Sequence, residues 1–140
     1  MKQSKYRIEI EPIGWIESPL KTRAEAPRQG QEAKVKGKII IYPQFKRAIK
    51  GLKVGDYIWV LCWFHLASRT TLEVCPRLAQ ERGLTGVFCS RSPDRPNPIG
   101  LELVKILEIE ENKISVEGLD ALDKTPVLDI KLYFSPIDCP

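Results

Sequence analysis

LELVKILEIEENKISVEGL, residues 101–119, reads as two strands and the turn that joins them. Leu101 to Ile109 and Ile114 to Leu119 are rich in Leu, Ile and Val. Between them, Glu110-Glu111-Asn112-Lys113 has the length and polarity of a hairpin turn. Further strands lie upstream. Residues 35–41 alternate, with Val35, Gly37, Ile39 and Ile41 on one face and Lys36, Lys38 and Ile40 on the other. Tyr57 to Leu66 (YIWVLCWFHL) alternates little and is aromatic and branched, which predicts a strand covered on both faces, with Cys62 inside it. Arg7 to Ile16 carries β-branched residues up to a turn-like Ser18-Pro19. Helical signals are few. Pro43 to Lys50 starts with proline, spaces Phe45, Ala48, Ile49 and Leu52 at helical intervals and stops at Gly51; a second short helix is expected over Pro76 to Arg82, before Gly83. Many strands, tight turns and little helix predict a mainly β fold, either a small barrel or a sandwich.

Composition sets the outer limits. The chain of 140 residues, 43% hydrophobic and 29% charged, is expected to form one domain over residues 1–140 with its own core. Its longest uncharged apolar run is Tyr57 to Leu66, about half of the ~20 residues a membrane helix needs, so no membrane partner is expected. The N-terminal MKQSKYRIEIEP has no apolar signal core, which makes the cytoplasm the expected location. Four cysteines and a single histidine show no ligand spacing, so reduced thiols and no metal are expected. The net charge of +4 is compatible with a polyanionic partner, but the basic residues are dispersed and read equally well as a solvated face. No GxGxxG follows a strand and no GxxxxGK[ST] occurs, which excludes the two common nucleotide cradles.

Chemistry concentrates in a few segments. SRSPDRPNPIG, residues 90–100, has three prolines that each fix φ, remove a donor and restrict the residue before them. The segment is therefore a stiff loop. It suits a site that must hold Arg91, Arg95 and Asn97 at set separations, and it reads equally as an exposed PxxP ligand. Downstream, Asp120 and Asp123 sit three residues apart in GLDALDKTPVLD, where they would accept hydrogen bonds from an ammonium or a ribose, or serve only as turn formers. Ala26-Pro27-Arg28-Gln29-Gly30 is a polar connection after the first strand. His65 closes the aromatic run at a strand mouth, as a structural or a catalytic imidazole.

Together these segments resemble one family. GVFCSRSPDRPNPIGLELV (86–104) is similar to the G-V-F-x-x-R-S-P-x-R-P-N-P-I-G-L signature of the TsaA/TrmO-like family, and IGWIESP, APRQG, YIWVLCWFH and GLDALDKTPVLDIKLY extend the likeness over nearly the whole chain. The resemblance implies a small closed or partly open β-barrel with one or two short helices. It also implies an S-adenosyl-L-methionine-dependent tRNA methyltransferase that methylates the exocyclic nitrogen of threonylcarbamoyladenosine beside the anticodon. The alternative is a non-catalytic RNA-binding or S-adenosylmethionine-sensing module on the same barrel. A homodimer and a tRNA partner are implied as well. By resemblance, the cofactor-binding residues are Pro27, Arg28, Gln29, His65, Leu66, Arg91, Leu101, Asp120, Ala121, Leu122 and Asp123. Arg95 and Asn97 are candidates for substrate contact or loop shaping, and no catalytic residue is assigned. Asp129, Lys131 and Tyr133 lie in a strongly patterned segment and divide between catalysis and packing. Lys124 and Leu132 stand where the family has glycine and proline, so a differently shaped closing turn is expected. Longer relatives carry a further C-terminal domain beyond the position of Pro140, where part of RNA docking is expected to lie.

Overall fold

The computed structural model describes residues 6–26, 34–76 and 80–139. Among them are eight strands: β1 (Gly14–Glu17), β2 (Lys36–Ile41), β3 (Tyr57–Trp63), β4 (Glu73–Val74), β5 (Thr85–Gly86), β6 (Ile99–Glu110), β7 (Lys113–Glu117) and β8 (Pro126–Leu132). Six close into a barrel in the order β1-β2-β7-β6-β3-β8, while β4 and β5 form a separate ribbon. Every pairing is antiparallel.

Alternation explains the core. Ile16, Ile39, Ile41, Ile58, Val60, Val104, Ile106, Ile114, Val116 and Val127 point inward and are buried together. Each such side chain stabilises the fold by about 1.5–3 kcal/mol. Register slips at Leu61/Cys62 against β8 and at Ile106/Glu108 against β7 add local bends, which help a short sheet to curl shut.

The expected hairpin forms with a tighter turn: Glu110 pairs with Lys113, only Glu111 and Asn112 lie beyond the ladder, and the second strand ends at Glu117 rather than Leu119. Glu111 takes a left-handed φ of 56°, and the Asn112 side-chain amide donates to the Ile41 carbonyl at 2.7 Å. In β2, Gly37, Ile39 and Ile41 share the inner face as expected. The expectation of a doubly covered β3 is corrected. That strand alternates, with Ile58, Val60 and Cys62 buried and its other residues more open. Its outward aromatics hide this pattern, because they pack on the barrel's outer surface. Trp59 and Tyr57 meet the Tyr133 ring at 5.9 and 6.3 Å, and the Arg69 guanidinium lies 5.1 Å from the Trp63 ring centre. The first strand is also shorter than expected, beginning only after Pro12, which has no N–H to donate.

Pro43–Ile49 is a 3₁₀ helix that packs Phe45 and Ile49 against the core and ends before Gly51, whose φ is 99°. Of the second expected helix, residues 77–79 lie outside the described residues, and a single 3₁₀ turn occupies Gln80–Arg82. A short α1 (Ser135–Asp138) follows β8.

Lys124 takes a left-handed shape that glycine would adopt more easily. Its φ is 66°, and its N–H donates to the Ile16 carbonyl at 2.7 Å. A side chain in that shape carries strain. A left-handed residue with a Cβ costs about 1–2 kcal/mol, of which the greater unfolded freedom of glycine cancels about 0.5–1 kcal/mol. Lys124→Gly is expected to raise the melting temperature by about 2–5 °C. An unchanged or lower melting temperature would contradict the strain.

Candidate functional site

Because β3 runs antiparallel to both β6 and β8, the end of β3, the start of β6 and the start of β8 meet at one end of the barrel. There they surround a cleft of about 890 Å³. That size suits a small molecule or cofactor, for which pockets run to roughly 300–1,000 Å³.

Six of the sequence's cofactor candidates line this one cleft: His65 and Leu66 after β3, Arg91 in the proline loop, Leu101 in β6, and Asp120 and Leu122 in the turn before β8. Ala121 and Asp123 do not. Ala121 is part of the core at 1% exposure. Asp123 turns to the opposite side of the turn, beside a shallower groove at Trp15 and Lys38. Its carboxylate accepts the Ser18 N–H at 3.0 Å and pairs with Lys21 at 2.8 Å. The Lys21 ammonium, then the Ser18 N–H, hold that carboxyl below the usual range. Pro27, Arg28 and Gln29 lie outside the described residues, although Arg23 and Ala26, just before them, line the cleft. Asp129, Lys131 and Tyr133 are absent from the lining; Asp129 and Lys131 pair at 3.5 Å on the exposed surface.

The proline loop is extended and irregular, as its composition requires, and its polar groups serve largely to hold it. Arg95 lines the cleft, yet its Nε donates to the Ser92 carbonyl at 2.9 Å and its Nη2 to the Val87 carbonyl at 2.7 Å. The Asn97 side-chain oxygen accepts from Arg69 at 3.1 Å, and Arg69 Nε donates to the Pro96 carbonyl at 2.8 Å. Pro93 and Pro96 are half-buried, unlike an exposed PxxP ligand. Beneath the loop, the Phe64 ring packs onto Gly100 so tightly that a Cβ there would meet a ring carbon at 2.2 Å.

Two acids that the sequence reading did not single out organise the site. Asp94 accepts the Ser68 N–H at 2.8 Å and takes the Arg23 guanidinium in a two-pronged pair at 3.2 and 3.1 Å. It thereby ties the proline loop to two other loops. Partial burial pushes its carboxyl up, but the Ser68 N–H and Arg23 outweigh this and hold it low. Glu102 is the second. It occupies an inward position of β6 at 4% exposure. Its Oε1 accepts the N–H groups of Asp120 at 2.7 Å and Ala121 at 2.9 Å, while the Cys62 thiol lies 3.5 Å from Oε2. Burial, then the hydrogen bond and charge of Asp120, push the Glu102 carboxyl well above the usual range. Burial and the Glu102 carboxyl also push the Cys62 thiol up, which keeps it a neutral hydrogen-bond donor. Only the inward register of β6 would have revealed Glu102, and that register is a tertiary fact.

A small antiparallel barrel with a ligand cleft on the loops at one end is the class that fold and site define. Within that class, the chain belongs to the family of the tRNA-methyltransferase O N-terminal domain, whose family model matches residues 15–139. It is 47% identical over 135 residues to a probable S-adenosyl-L-methionine-binding protein of Methanothermobacter thermautotrophicus, covering 96% of each chain. It is 36% identical to the tRNA (adenine(37)-N6)-methyltransferase of Mus musculus, covering 93% of this chain and 32% of the mouse protein. The crystal structure of TrmO from Pseudomonas aeruginosa superposes with a TM-score of 0.79 at 33% identity, covering 96% of this chain; this chain spans 60% of that one.

Asp94 generates a pH-dependent expectation. A carboxyl held below its unfolded value of 3.8 stabilises the fold above that pH and loses its contribution as pH falls through the folded value. Asp94→Asn is expected to lower stability at neutral pH by about 0.5–1.5 kcal/mol, given the partial exposure of the pair. The gap between variant and wild type should close in acid. A gap that stays constant down to about pH 2 would show that the carboxylate charge is not what holds the loop.

Proposed function

We propose that this chain binds S-adenosylmethionine in the cleft and transfers its methyl group to the exocyclic nitrogen of threonylcarbamoyladenosine beside the tRNA anticodon. One observation carries the reading: His65, Leu66, Arg91, Leu101, Asp120 and Leu122, scattered over nearly sixty residues, line a single cleft of cofactor size. The likeness to proteins named for S-adenosylmethionine binding supports it.

The lining suits the cofactor's parts. Phe64, Leu66 and Leu101 offer apolar surface to an adenine. Asp120 offers a carboxylate to a ribose diol or an ammonium, and Arg91 a planar fork to a carboxylate. When bound, the cofactor supplies an electrophilic methyl group on its sulfonium. Methyl transfer is an in-line displacement, so the work of these residues is alignment and exclusion of water. Arg95, pinned to its own loop, shapes the rim. The acceptor nitrogen bears a carbamoyl group and is a poor nucleophile, so removal of its proton assists the reaction. We place the protein in the cytoplasm as a homodimer, with tRNA as its partner. No described helix is long and apolar enough to cross a membrane.

Binding without methylation is the second reading. The near-full-length relatives are named as binding proteins, whereas the mouse methyltransferase and the solved TrmO chains extend well beyond the matched region. Calorimetry and nucleoside mass spectrometry separate the readings. S-adenosylmethionine is expected to bind, with Arg91→Ala and Asp120→Ala each weakening affinity by about tenfold or more. Absence of binding by the folded wild type refutes the cofactor reading, and equal affinity in both variants refutes the residue assignment. Incubation with cofactor and tRNA already carrying threonylcarbamoyladenosine should yield the methylated nucleoside. Binding with no methylated nucleoside would leave the sensing module.

A further inference from the structure

An acid inside a barrel needs a reason. Glu102 shares the inner face of β6 with Gly100, Val104 and Ile106, opposite Val60 of β3. Among the described residues, the titratable groups that act on it are Asp120, from the turn, and Cys62, from β3, and no described cation neutralises its carboxyl in an ion pair. Oε1 is already engaged by two backbone N–H groups of the segment that carries Asp120 and Leu122 into the cleft. Burial and the nearby charge of Asp120 favour the neutral form of the Glu102 carboxyl.

We propose that Glu102 is the positioning residue of the cleft: by accepting the N–H groups of Asp120 and Ala121 on Oε1, it fixes the backbone from which Asp120 and Leu122 reach the ligand. Where the ligand is concerned, this rests on the reading of the cleft as an S-adenosylmethionine site. With that backbone fixed, Asp120 meets a ribose diol or an ammonium in one orientation. Loss of the acceptor frees two N–H groups, and the turn with them.

Glutamine is the isostere of the protonated acid. Its carbonyl oxygen can accept both N–H groups. Leucine keeps the volume and removes the acceptor. Calorimetry with S-adenosylmethionine should give Glu102→Gln an affinity within about threefold of wild type near pH 6, and Glu102→Leu at least about tenfold less. Glu102→Leu binding like wild type, or Glu102→Gln falling as far as Glu102→Leu, overturns the proposal while leaving the cofactor reading intact. No binding by wild type overturns the cofactor reading instead.

A ligand-free measurement tests the hold itself. Amide hydrogen exchange in the unliganded protein should be slow at Asp120 and Ala121 in wild type and Glu102→Gln, and faster there in Glu102→Leu. Fast exchange at both N–H groups in wild type, or unchanged exchange in Glu102→Leu, overturns the proposal whatever binds. Circular dichroism melts confirm that each variant is folded. If Glu102→Leu does not fold, exchange in wild type and Glu102→Gln still decides.

Discussion

A buried carboxyl with no cation beside it among the described residues is the constraint on which this site depends. Strand alternation in β6 carries Glu102 into the barrel along with Val104 and Ile106. Inside, an unsatisfied polar group costs about 1–3 kcal/mol, so donors must come to it. Those donors are the N–H groups of Asp120 and Ala121. Meeting them fixes the height of the turn above the barrel interior. From that height Asp120 and Leu122 line the cleft, while Asp123 reaches the opposite side to receive Ser18 and Lys21. One turn thus has two working faces because a single acid below it sets its position.

How much of this is written in the residues varies by segment. The 101–119 hairpin and the alternation of residues 35–41 were legible because each is a local pattern that the structure keeps. The stiffness of residues 90–98 was legible for the same reason, since proline geometry does not depend on context. The facing of β6 was not. Its odd positions, with Leu101, Leu103, Leu107 and Ile109, look more apolar than its even ones, yet the even face enters the barrel as far as Ile106. Leu101, at 46% exposure, instead lines the cleft, and the slip after Ile106 changes which residues lean on the core. Apolar counting reads burial, and here some of the apolar surface lines an open cleft. Asp94 was equally hidden, because its partners Arg23 and Ser68 lie 71 and 26 residues away.

Charge at the rim is less available than the composition suggests. Arg95 donates to carbonyls of its own loop, Arg69 to Pro96 and Asn97, and Arg23 to Asp94. These guanidiniums act as cross-braces between loops that lack regular hydrogen bonding. Backbone carbonyls left over by the prolines find their donors this way. The loop's shape is therefore carried by its own side chains and those of its neighbours, ahead of any ligand.

The barrel seam gives the turn a further importance. β1 meets β8 at only two positions, one of them Pro126, which has no N–H. Closure there is reinforced by the Ile16 N–H to the Thr125 carbonyl at 2.9 Å and by the Lys124 N–H to the Ile16 carbonyl at 2.7 Å. Both bonds belong to the segment that also lines the cleft. Fastening the lips of the cleft and latching the staves of the barrel are then one event. On the cofactor reading, a molecule held by Asp120 and Leu122 draws its affinity partly from the closed ring, and the closed ring draws part of its persistence from that molecule.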